Sequence, residues 1–473
     1  MDSSAGDRVA GTPPGSVDIT RRMREEWNRR ARQDAYFYAG FVRHNQADEE
    51  FLASGAETVA KIESELARLP ELPCPARRAL EIGCGPGRLM LPLSRHFGEI
   101  HGVDISEEMV ALARERLRSV PHAHVQVTPG AGLPMFEAGY FDFVYSYIVF
   151  QHIPDRQVVL EYLREARRVL KPEGILCCQL RGAAPLASEM SRESATWTGS
   201  YFTGEEMAAF AREHDFHLVA LSGLETQYMW TTWRKPAPAA APRAQFVLKA
   251  VTATTNGGNI VPARGRDAAI SLWIDGLPSD CHLGNLEIRF AVVPSRDSLP
   301  SRDREGASYD LRGCYLSPIG PSGDCQMDVR LPQGITPGAY QVALYCDERM
   351  LGAPQPIEVI PAPPRNPKLL SITDGVNLAS HRRIESGGVK VTLEDIANPA
   401  EVSFRVAGRP AESLAWECRD PITDTYEFAF HLAHKTKPGR HSLEITVSGR
   451  RLPSEPIEVA PAGPRRALPW RRS

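Results

Sequence analysis

The sequence predicts an α/β domain with a doubly wound, mostly parallel sheet of seven strands, followed by two smaller all-β domains of the sandwich type. Three observations carry this prediction. Apolar strands alternate with helical segments over residues 78–233, a Pro/Ala-rich stretch follows at residues 235–242, and short strands separated by Gly/Pro turns fill the rest. At 473 residues, the chain is long enough for two or three hydrophobic cores.

The seven strands of the first domain are short apolar runs that helical patterns separate. The fifth run is apolar at every position except Gln179, as expected of a central strand in a parallel sheet. The helix before it has an apolar face that includes Val159, Leu163 and Ala166. The strands are predicted at residues 78–82, 100–103, 125–127, 141–146, 175–180, 216–221 and 227–233.

Three alternating glycines follow the first strand, in the sequence LEIGCGPGR at residues 80–88. Glycine accepts a positive φ and leaves no Cβ in the way of a ligand. A helix is expected to follow, with its free N–H groups pointing at the turn. Asp104 ends the next strand about 20 residues later, the separation at which nucleotide-binding βαβ units place a carboxylate on the ribose hydroxyls. The loop and Asp104 therefore predict a nucleoside site at the carboxyl end of the sheet.

The spacing of the glycines distinguishes two cofactors. The dinucleotide fingerprint is G-x-G-x-x-G, whereas here the third glycine comes one position early and Arg88 stands in its place. The pattern E-x-G-x-G-x-G, which begins at Glu81, resembles motif I of the class I S-adenosylmethionine-dependent methyltransferases. An NAD(P)-dependent oxidoreductase is the alternative enzyme, which the glycine spacing disfavours. A non-catalytic scaffold that binds the cofactor is a third hypothesis.

The resemblance covers residues 20–235, and three further segments carry it: 103–106 (VDIS), 141–146 (FDFVYS) and 169–174 (VLKPEG). It implies S-adenosylmethionine as the cofactor. Asp104 would accept both ribose hydroxyls, a role that suits its two carboxylate oxygens. Glu81 would orient the loop or the cofactor amino group. The implied cofactor contacts are Glu81, Gly83, Cys84, Gly85, Gly87, Asp104, Ile105, Met109, Gly130, Ala131, Tyr147 and Gln151.

Recognition of the adenine is where the sequence departs from the family pattern. Relatives often carry an Asp after the third strand to hold the adenine amino group, but residues 128–134 (TPGAGLP) contain no acid. Backbone groups near Gly130 and Ala131 are expected to contact the ring instead. Ile105 and Met109 would flank it, although plain helix core explains Met109 equally well.

His152 is our candidate for a general base, because it follows the fourth strand and an unperturbed imidazole titrates near neutrality. Its alternative role is to pack and hydrogen-bond beneath the cofactor. In relatives, helices before the sheet form a lid, which predicts a lid from the segment with Trp27 and Tyr36-Phe37-Tyr38; simple packing is the alternative. We expect no metal site, since His122 and His124 alone are too few ligands.

The C-terminal half repeats at a spacing of about 100 residues, the size of one immunoglobulin-like sandwich. PGAYQV at residues 337–342 matches PGRHSL at 438–443, and PIEVIP at 356–361 matches PIEVAP at 456–461. The two copies resemble bacterial immunoglobulin-like or IPT-type modules. The predicted organisation is a disordered N-terminus (1–16), the methyltransferase domain with its lid (17–235), a linker (236–245), two β-sandwich modules (246–361 and 362–462) and a basic tail (463–473).

Composition limits the partners and the location. At a net charge of −3, the chain has no overall basic character that would favour a nucleic-acid partner, so the expected acceptor is a small molecule or a glycan. The sandwich modules would bind a saccharide or a protein partner. The nine scattered cysteines indicate reduced thiols, with one bridge left open among Cys281, Cys314, Cys325 and Cys346. No signal peptide or 18-residue apolar run is present, which predicts a cytoplasmic protein.

Overall fold

The computed structural model describes residues 16–40, 44–184, 199–237, 247–277, 280–293, 308–318, 324–375, 380–433 and 436–461. The predicted disordered N-terminus up to residue 15, most of the predicted linker and the basic tail lie outside these residues. Ser16, which the prediction assigned to the disordered segment, begins the first helix.

The predicted seven-stranded sheet is confirmed in the N-terminal domain. Its order is β3-β2-β1-β4-β5-β7-β6, with β1 to β5 parallel and β7 antiparallel to both of its neighbours. Each strand lies within a few residues of its predicted position, except that β5 begins five residues early, at Leu170. The strands are β1 (Arg78–Ile82), β2 (Glu99–Asp104), β3 (Ala123–Val127), β4 (Phe141–Ser146), β5 (Leu170–Leu180), β6 (His217–Ser222) and β7 (Met229–Arg234).

Seven α-helices of the described residues accompany this sheet. Side-chain caps fix several of them: Ser106 accepts from the backbone N–H of Met109 at 3.2 Å, and Thr203 with Glu206 forms a capping box. The apolar face predicted on the helix before β5 is buried, with Val159, Leu163 and Ala166 in the core. The helices are α1 (Ser16–Gly40), α2 (Asp48–Ala53), α3 (Ala56–Glu65), α4 (Met90–Leu93), α5 (Glu107–Arg116), α6 (Arg156–Val169) and α7 (Gly204–Glu213).

The C-terminal half consists of β-strands, as predicted. Strands β8 to β17 come first: β8 (Val247–Ala253), β9 (Ile260–Pro262), β10 (Ala269–Asp275), β11 (Leu286–Val292), β12 (Ser308–Leu311), β13 (Gly313–Leu316), β14 (Cys325–Arg330), β15 (Gly338–Cys346), β16 (Arg349–Met350) and β17 (Gln355–Ile360). Strands β18 to β27 follow: β18 (Lys368–Asp374), β19 (Arg383–Ile384), β20 (Gly388–Glu394), β21 (Val402–Val406), β22 (Arg409–Pro410), β23 (Glu412–Asp420), β24 (Thr425–His431), β25 (Gly439–Val447), β26 (Arg450–Arg451) and β27 (Glu455–Val459).

The internal repeat appears in the strand order of both groups. The first group contains the orders β13-β14-β10-β8 and β12-β11-β15-β17-β9, and the second contains β23-β24-β20-β18 and β22-β21-β25-β27-β19. Each position in one group has a counterpart in the other. The two sheets of the second group bury one shared core, with Val391 and Phe428 from one sheet and Phe404 and Ile445 from the other. The immunoglobulin-like assignment itself stays a prediction.

The connection between the first two domains was not predicted from the sequence. Strand β13 pairs antiparallel with β6 through Tyr315 and Ala220, so the sheet of the N-terminal domain continues into the first C-terminal group. The resulting sheet has eleven strands. The first two domains share a hydrophobic core, in which Leu218 and Trp233 of the N-terminal domain belong to the same cluster as Leu283 and Phe290.

Two further predictions can be compared with the structure. All nine cysteines are free thiols, and the pair brought together among the four candidates is Cys281 and Cys346, with their sulfur atoms 3.0 Å apart. Among the described helices, none combines the length and apolar content that a membrane span needs.

Candidate cofactor site

A cavity opens at the carboxyl ends of β1, β2 and β4, where the sequence predicts the nucleoside site. Its volume is about 840 Å³ including the solvent at its mouth. It is lined by Met23, Trp27, Tyr38, Ala39, Glu81, Ile82, Gly83, Cys84, Gly85, Pro86, Arg88, Leu89, Asp104, Ile105, Met109, Thr128, Gly130, Tyr147, Ile148, Val149, Ile153 and Tyr162.

The glycine loop forms the floor of this cavity in a backbone conformation that needs glycine. Gly83, Gly85 and Gly87 have φ values of +74°, +50° and +80°. A Cβ added to Gly83 would lie 2.2 Å from Cγ2 of Val149. The helix expected after the loop is short: α4 has four residues, with Pro92 among them, and ends in a 3₁₀ turn at residues 94–96.

Asp104 lies at the end of β2 with both carboxylate oxygens facing backbone donors. Oδ2 accepts from the N–H of Gly85 at 2.9 Å, and Oδ1 accepts from the N–H of Ser106 at 2.9 Å. Burial raises the pKa of Asp104 to about 6, although these backbone hydrogen bonds act to lower it. Each oxygen keeps further acceptor capacity, which fits the two hydroxyls of a ribose.

Glu81 is the second buried acid of the cavity, with 2% of its surface exposed. Its Oε2 accepts a hydrogen bond from the hydroxyl of Tyr145 at 3.0 Å. Burial raises the pKa of Glu81 to about 8, while that hydrogen bond and the charge of Arg88 lower it. Burial therefore makes the Glu81 carboxyl easier to protonate than an exposed glutamate.

Three of the residues predicted to contact the adenine are in the lining of the cavity. They are Ile105, Met109 and Gly130, and their contact with an adenine stays a prediction. A Cβ on Gly130 would lie 2.7 Å from Cδ1 of Ile105, so only glycine allows this close approach of the two residues. Thr128, which sequence reasoning missed, is 3% exposed and also lines the cavity. Its hydroxyl donates to the carbonyl oxygen of Gly132 at 3.3 Å and accepts from the N–H of Gly130 at 3.4 Å.

Helix α1, the segment for which the sequence predicts a lid, contributes side chains to the wall of the cavity, and its role as a lid stays a prediction. Trp27 and Tyr38 line the cavity from this helix. Asn28 anchors it to the start of α5: its Oδ1 accepts from Oγ of Ser106 at 2.6 Å, and its Nδ2 donates to Glu107 at 2.6 Å. The helix is thus attached to the turn that follows Asp104.

The segment after β4 forms the opposite wall. Tyr147 lines the cavity and stacks on Trp230 at 5.2 Å between ring centroids. Ile148 has a φ of +56°, which is strained for a β-branched residue. The buried amide of Gln179 supports this backbone, since its Oε1 accepts from the N–H of Ile148 at 3.1 Å. Its Nε2 donates to Oε1 of Gln151 at 2.9 Å.

Nine of the twelve predicted cofactor residues line the cavity. The other three, Gly87, Ala131 and Gln151, are not among the lining residues, and neither is the candidate base His152. Gly87 packs toward Ala113 of α5, and Gln151 is 6% exposed behind the wall. His152 is 4% exposed and meets the Trp27 ring edge-on at 5.6 Å. The assigned roles of these residues, and of Ala131, stay predictions.

The structure also brings together three potential metal ligands away from the cavity. One ligand atom each of Glu99, His101 and His124 lies within 4.8 Å of the others. The Glu99 carboxylate already accepts from His101 at 2.7 Å, from Tyr140 at 2.9 Å and from Arg78 at 2.9 Å. These partners occupy the carboxylate, and we assign no metal to the cluster.

Comparison with known proteins agrees with this geometry. Residues 80–178 match a family described as "Methyltransferase domain". This segment is a methyltransferase domain of the S-adenosylmethionine-dependent class. The glycine cradle and the two-oxygen acceptor at Asp104 fit that cofactor.

The curated relatives cover the methyltransferase part of the chain. Phosphoethanolamine N-methyltransferase 2 of Caenorhabditis elegans is 28% identical over 209 residues, which are 43% of this chain and 44% of that protein. Trans-aconitate 2-methyltransferase of Rhizobium leguminosarum is 29% identical over 170 residues, which are 34% of this chain and 63% of that protein. The chain thus spans less than two thirds of the length of either relative.

Solved structures of methyltransferases also align with the chain. Geranyl diphosphate C-methyltransferase from Streptomyces coelicolor, solved with Mg²⁺, geranyl diphosphate and S-adenosyl-L-homocysteine, is 13% identical and has a TM-score of 0.36. The alignment covers 47% of this chain and 100% of that one.

Proposed function

We propose that the whole protein transfers a methyl group from S-adenosylmethionine to a small-molecule acceptor. The observation that carries the proposal is the cavity in which the glycine loop, Asp104 and the lid helix α1 meet. When bound, S-adenosylmethionine supplies an activated methyl group, which an in-line displacement passes to the acceptor as the carbon–sulfur bond breaks.

The residues of the chain contribute mainly by positioning. Asp104 holds the ribose, the glycine loop lets the backbone approach the ligand, and α1 excludes water from the reacting centre. An acceptor hydroxyl or amine also has to lose a proton. His152 remains the candidate base for that step, and in this proposal it reaches the acceptor only after the Trp27 side of the lid moves.

The acceptor class is supported by the relatives and by charge. The names of the relatives specify phosphoethanolamine and trans-aconitate as acceptors, both small molecules. The net charge of −3 also offers no general attraction for a polynucleotide. A glycan acceptor is the second candidate that we keep.

Cofactor binding is tested first, by isothermal calorimetry with S-adenosylhomocysteine and NADH. We expect S-adenosylhomocysteine to bind and NADH not to bind; a preference for NADH would favour the oxidoreductase hypothesis.

Asp104→Ala should weaken the binding of S-adenosylhomocysteine at least about tenfold, because it removes hydrogen bonds to a charged group. Asp310→Ala, at a largely exposed aspartate of β12, is the matched control and should leave the affinity unchanged. Equal affinity of Asp104→Ala and the unmodified protein would contradict the assigned role.

The acceptor is then sought by fractionating a cognate cell extract with labelled S-adenosylmethionine and determining the product by mass spectrometry. A methylated small molecule or glycan is the expected result. A protein that binds the cofactor yet yields no S-adenosylhomocysteine with any fraction would support the scaffold hypothesis.

We further propose that the C-terminal strands bind a saccharide, and here a surface of β10 and β14 gives the support. Trp273 is 44% exposed, and its Nε1 donates to Thr252 at 3.0 Å. Gln326, Ser271 and Asp328 form a hydrogen-bonded polar row on the neighbouring positions. An exposed indole beside such polar groups suits the apolar and hydroxyl faces of a sugar. Loss of binding on a glycan array in Trp273→Ala would support this site, whereas unchanged binding would contradict it.

A further inference from the structure

Two cysteine thiols meet in the first C-terminal group of strands although they lie 65 positions apart in the chain. Cys281 precedes β11, and Cys346 ends β15. Their sulfur atoms are 3.0 Å apart, closer than two sulfur atoms in ordinary van der Waals contact. Cys281 is 1% exposed, whereas Cys346 is partly exposed. One sulfur of the pair is therefore shielded from solvent, and the other is within reach of a reagent.

The backbone around the two cysteines fixes this approach. The residues between Cys281 and β11 form a turn, in which the N–H of Asn285 donates to the carbonyl of His282 at 3.0 Å. The N–H of Asp347 donates to the carbonyl of Asn285 at 3.2 Å, which ties the turn to the end of β15 beside Cys346. Main-chain hydrogen bonds thus hold the two cysteines at the short range that a disulfide requires.

The same turn is a place where the C-terminal strands contact the methyltransferase domain. The N–H of Leu283 donates to the carbonyl of Leu218 in β6 at 2.9 Å. The ring of His282 stacks on that of His217, with 4.7 Å between the ring centroids. A covalent bond at Cys281 would therefore restrain the turn that makes these contacts.

We propose that Cys281 and Cys346 are an oxidation site, at which a disulfide bond locks the joint between the methyltransferase domain and strands β8 to β17. The oxidant is a low-molecular-weight disulfide such as oxidised glutathione. This step adds regulation to the proposed function and does not rest on the identity of the cofactor.

The partly exposed Cys346 starts the exchange, because its hydrogen bond with Cys281 and burial raise the pKa of the Cys281 thiol and keep that thiol protonated. The Cys346 thiolate attacks one sulfur of the oxidant, which breaks the S–S bond and releases the first glutathione thiolate. Cys281 then loses its proton and attacks the Cys346 sulfur, which forms the protein disulfide and releases the second glutathione. Two electrons pass from the protein thiols to the oxidant, and the two protons end on the released glutathione molecules.

The first test counts the thiols of the full chain. The protein is equilibrated in mixtures of reduced and oxidised glutathione and denatured in acid, and its free thiols are alkylated and counted by mass spectrometry. We expect two of the nine free thiols to disappear under oxidising conditions and a peptide map to join Cys281 to Cys346. Nine free thiols in every mixture, a bond between another pair, or glutathione left attached to Cys346 would overturn the proposal.

Two variants show which sulfur atoms react. Cys346→Ser removes the partly exposed sulfur and should form no protein disulfide in any mixture. Cys314→Ser, at a partly exposed cysteine of β13, is the matched control and should still lose two thiols. A disulfide that forms in Cys346→Ser would assign the oxidation to other cysteines and contradict the proposed site.

The second test measures whether the bond strengthens the joint. Because a disulfide restricts the unfolded chain, oxidation should raise the unfolding temperature of the unit that contains it by about 3–6 °C. Hydrogen exchange of residues 217–222 and 282–286 should also become slower. Neither change should occur in Cys346→Ser after the same treatment. A disulfide that forms yet leaves the exchange of these residues unchanged would overturn the proposed lock.

Discussion

At the scale of single residues, two buried acids set how the cavity responds to protons. Asp104 and Glu81 are both in the lining, and burial raises the pKa of the first to about 6 and of the second to about 8. At pH 7 the free protein therefore holds Asp104 largely ionised and Glu81 largely protonated. The ionised Asp104 can accept hydrogen bonds from a ribose. Glu81 becomes a counter-ion only when a cation approaches.

This difference predicts proton release on cofactor binding. The sulfonium and ammonium of S-adenosylmethionine favour the ionised form of Glu81, so its pKa should fall and up to about one proton should leave at pH 7. Calorimetry in buffers of different ionisation enthalpy measures that number directly. Release should diminish above pH 8, where the free Glu81 is already ionised, and should disappear in Glu81→Gln. A binding enthalpy that does not depend on the buffer at pH 7 would exclude this role.

At the scale of elements, Asn28 provides one of the polar contacts that tie helix α1 to the rest of the domain. Asn28 bonds to Ser106 and Glu107 at the start of α5, the helix that follows Asp104. Asn28→Ala should therefore loosen α1 and weaken the binding of S-adenosylhomocysteine by up to about 30-fold, since two hydrogen bonds worth about 1 kcal/mol each are lost.

Arg32→Ala is the matched control on the same helix. Arg32 pairs with Glu108 at 3.0 Å, but both side chains are exposed, and such pairs contribute little. Hydrogen exchange over residues 16–40 should be faster in Asn28→Ala than in Arg32→Ala. Equal exchange and equal affinity in the two variants would show that Asn28 does not hold α1 in place.

The elements also show what the sequence could and could not predict. The loop from Gly83 to Gly87 and Asp104 were predictable, because local spacing encodes a strand, a turn and a carboxylate at a strand end. Gln179 was not, because its partners Ile148 and Gln151 lie about 30 residues away along the chain and meet it only in the folded sheet. Arg88 was noticed only as a missing glycine, because its burial beside the cavity is a property of the tertiary structure.

At the scale of the whole molecule, the domains are less separate in the structure than the sequence predicts. The Pro/Ala-rich stretch predicts separate domains, yet β13 extends the sheet of the methyltransferase domain at β6, and Leu283 donates its N–H to Leu218 at 2.9 Å. An edge strand that would otherwise be open is covered by this pairing. The last group of strands has its own core and meets the methyltransferase domain at Tyr228, whose ring lies 5.3 Å from the guanidinium carbon of Arg419.

This arrangement predicts two thermal unfolding transitions rather than three. The methyltransferase domain and strands β8 to β17 share a core and should unfold together, while β18 to β27 unfold separately. S-adenosylhomocysteine at about 100 times its Kd stabilises the unit that binds it by about 2.7 kcal/mol. The ligand should therefore raise the transition temperature of the shared unit and leave that of the other unit unchanged.

Core variants assign the transitions in differential scanning calorimetry. Ile288 in β11 is fully buried in the shared core, and Phe428 in β24 is fully buried in the other core. Ile288→Ala should reduce the free energy of unfolding of its unit by about 2–5 kcal/mol and so lower the temperature of the transition that S-adenosylhomocysteine raises. Phe428→Ala should lower the temperature of the other transition. Ile288→Ala could instead lower the temperature of a transition that the ligand does not affect. That result would show that strands β8 to β17 unfold on their own and that the eleven-stranded sheet consists of two units in contact.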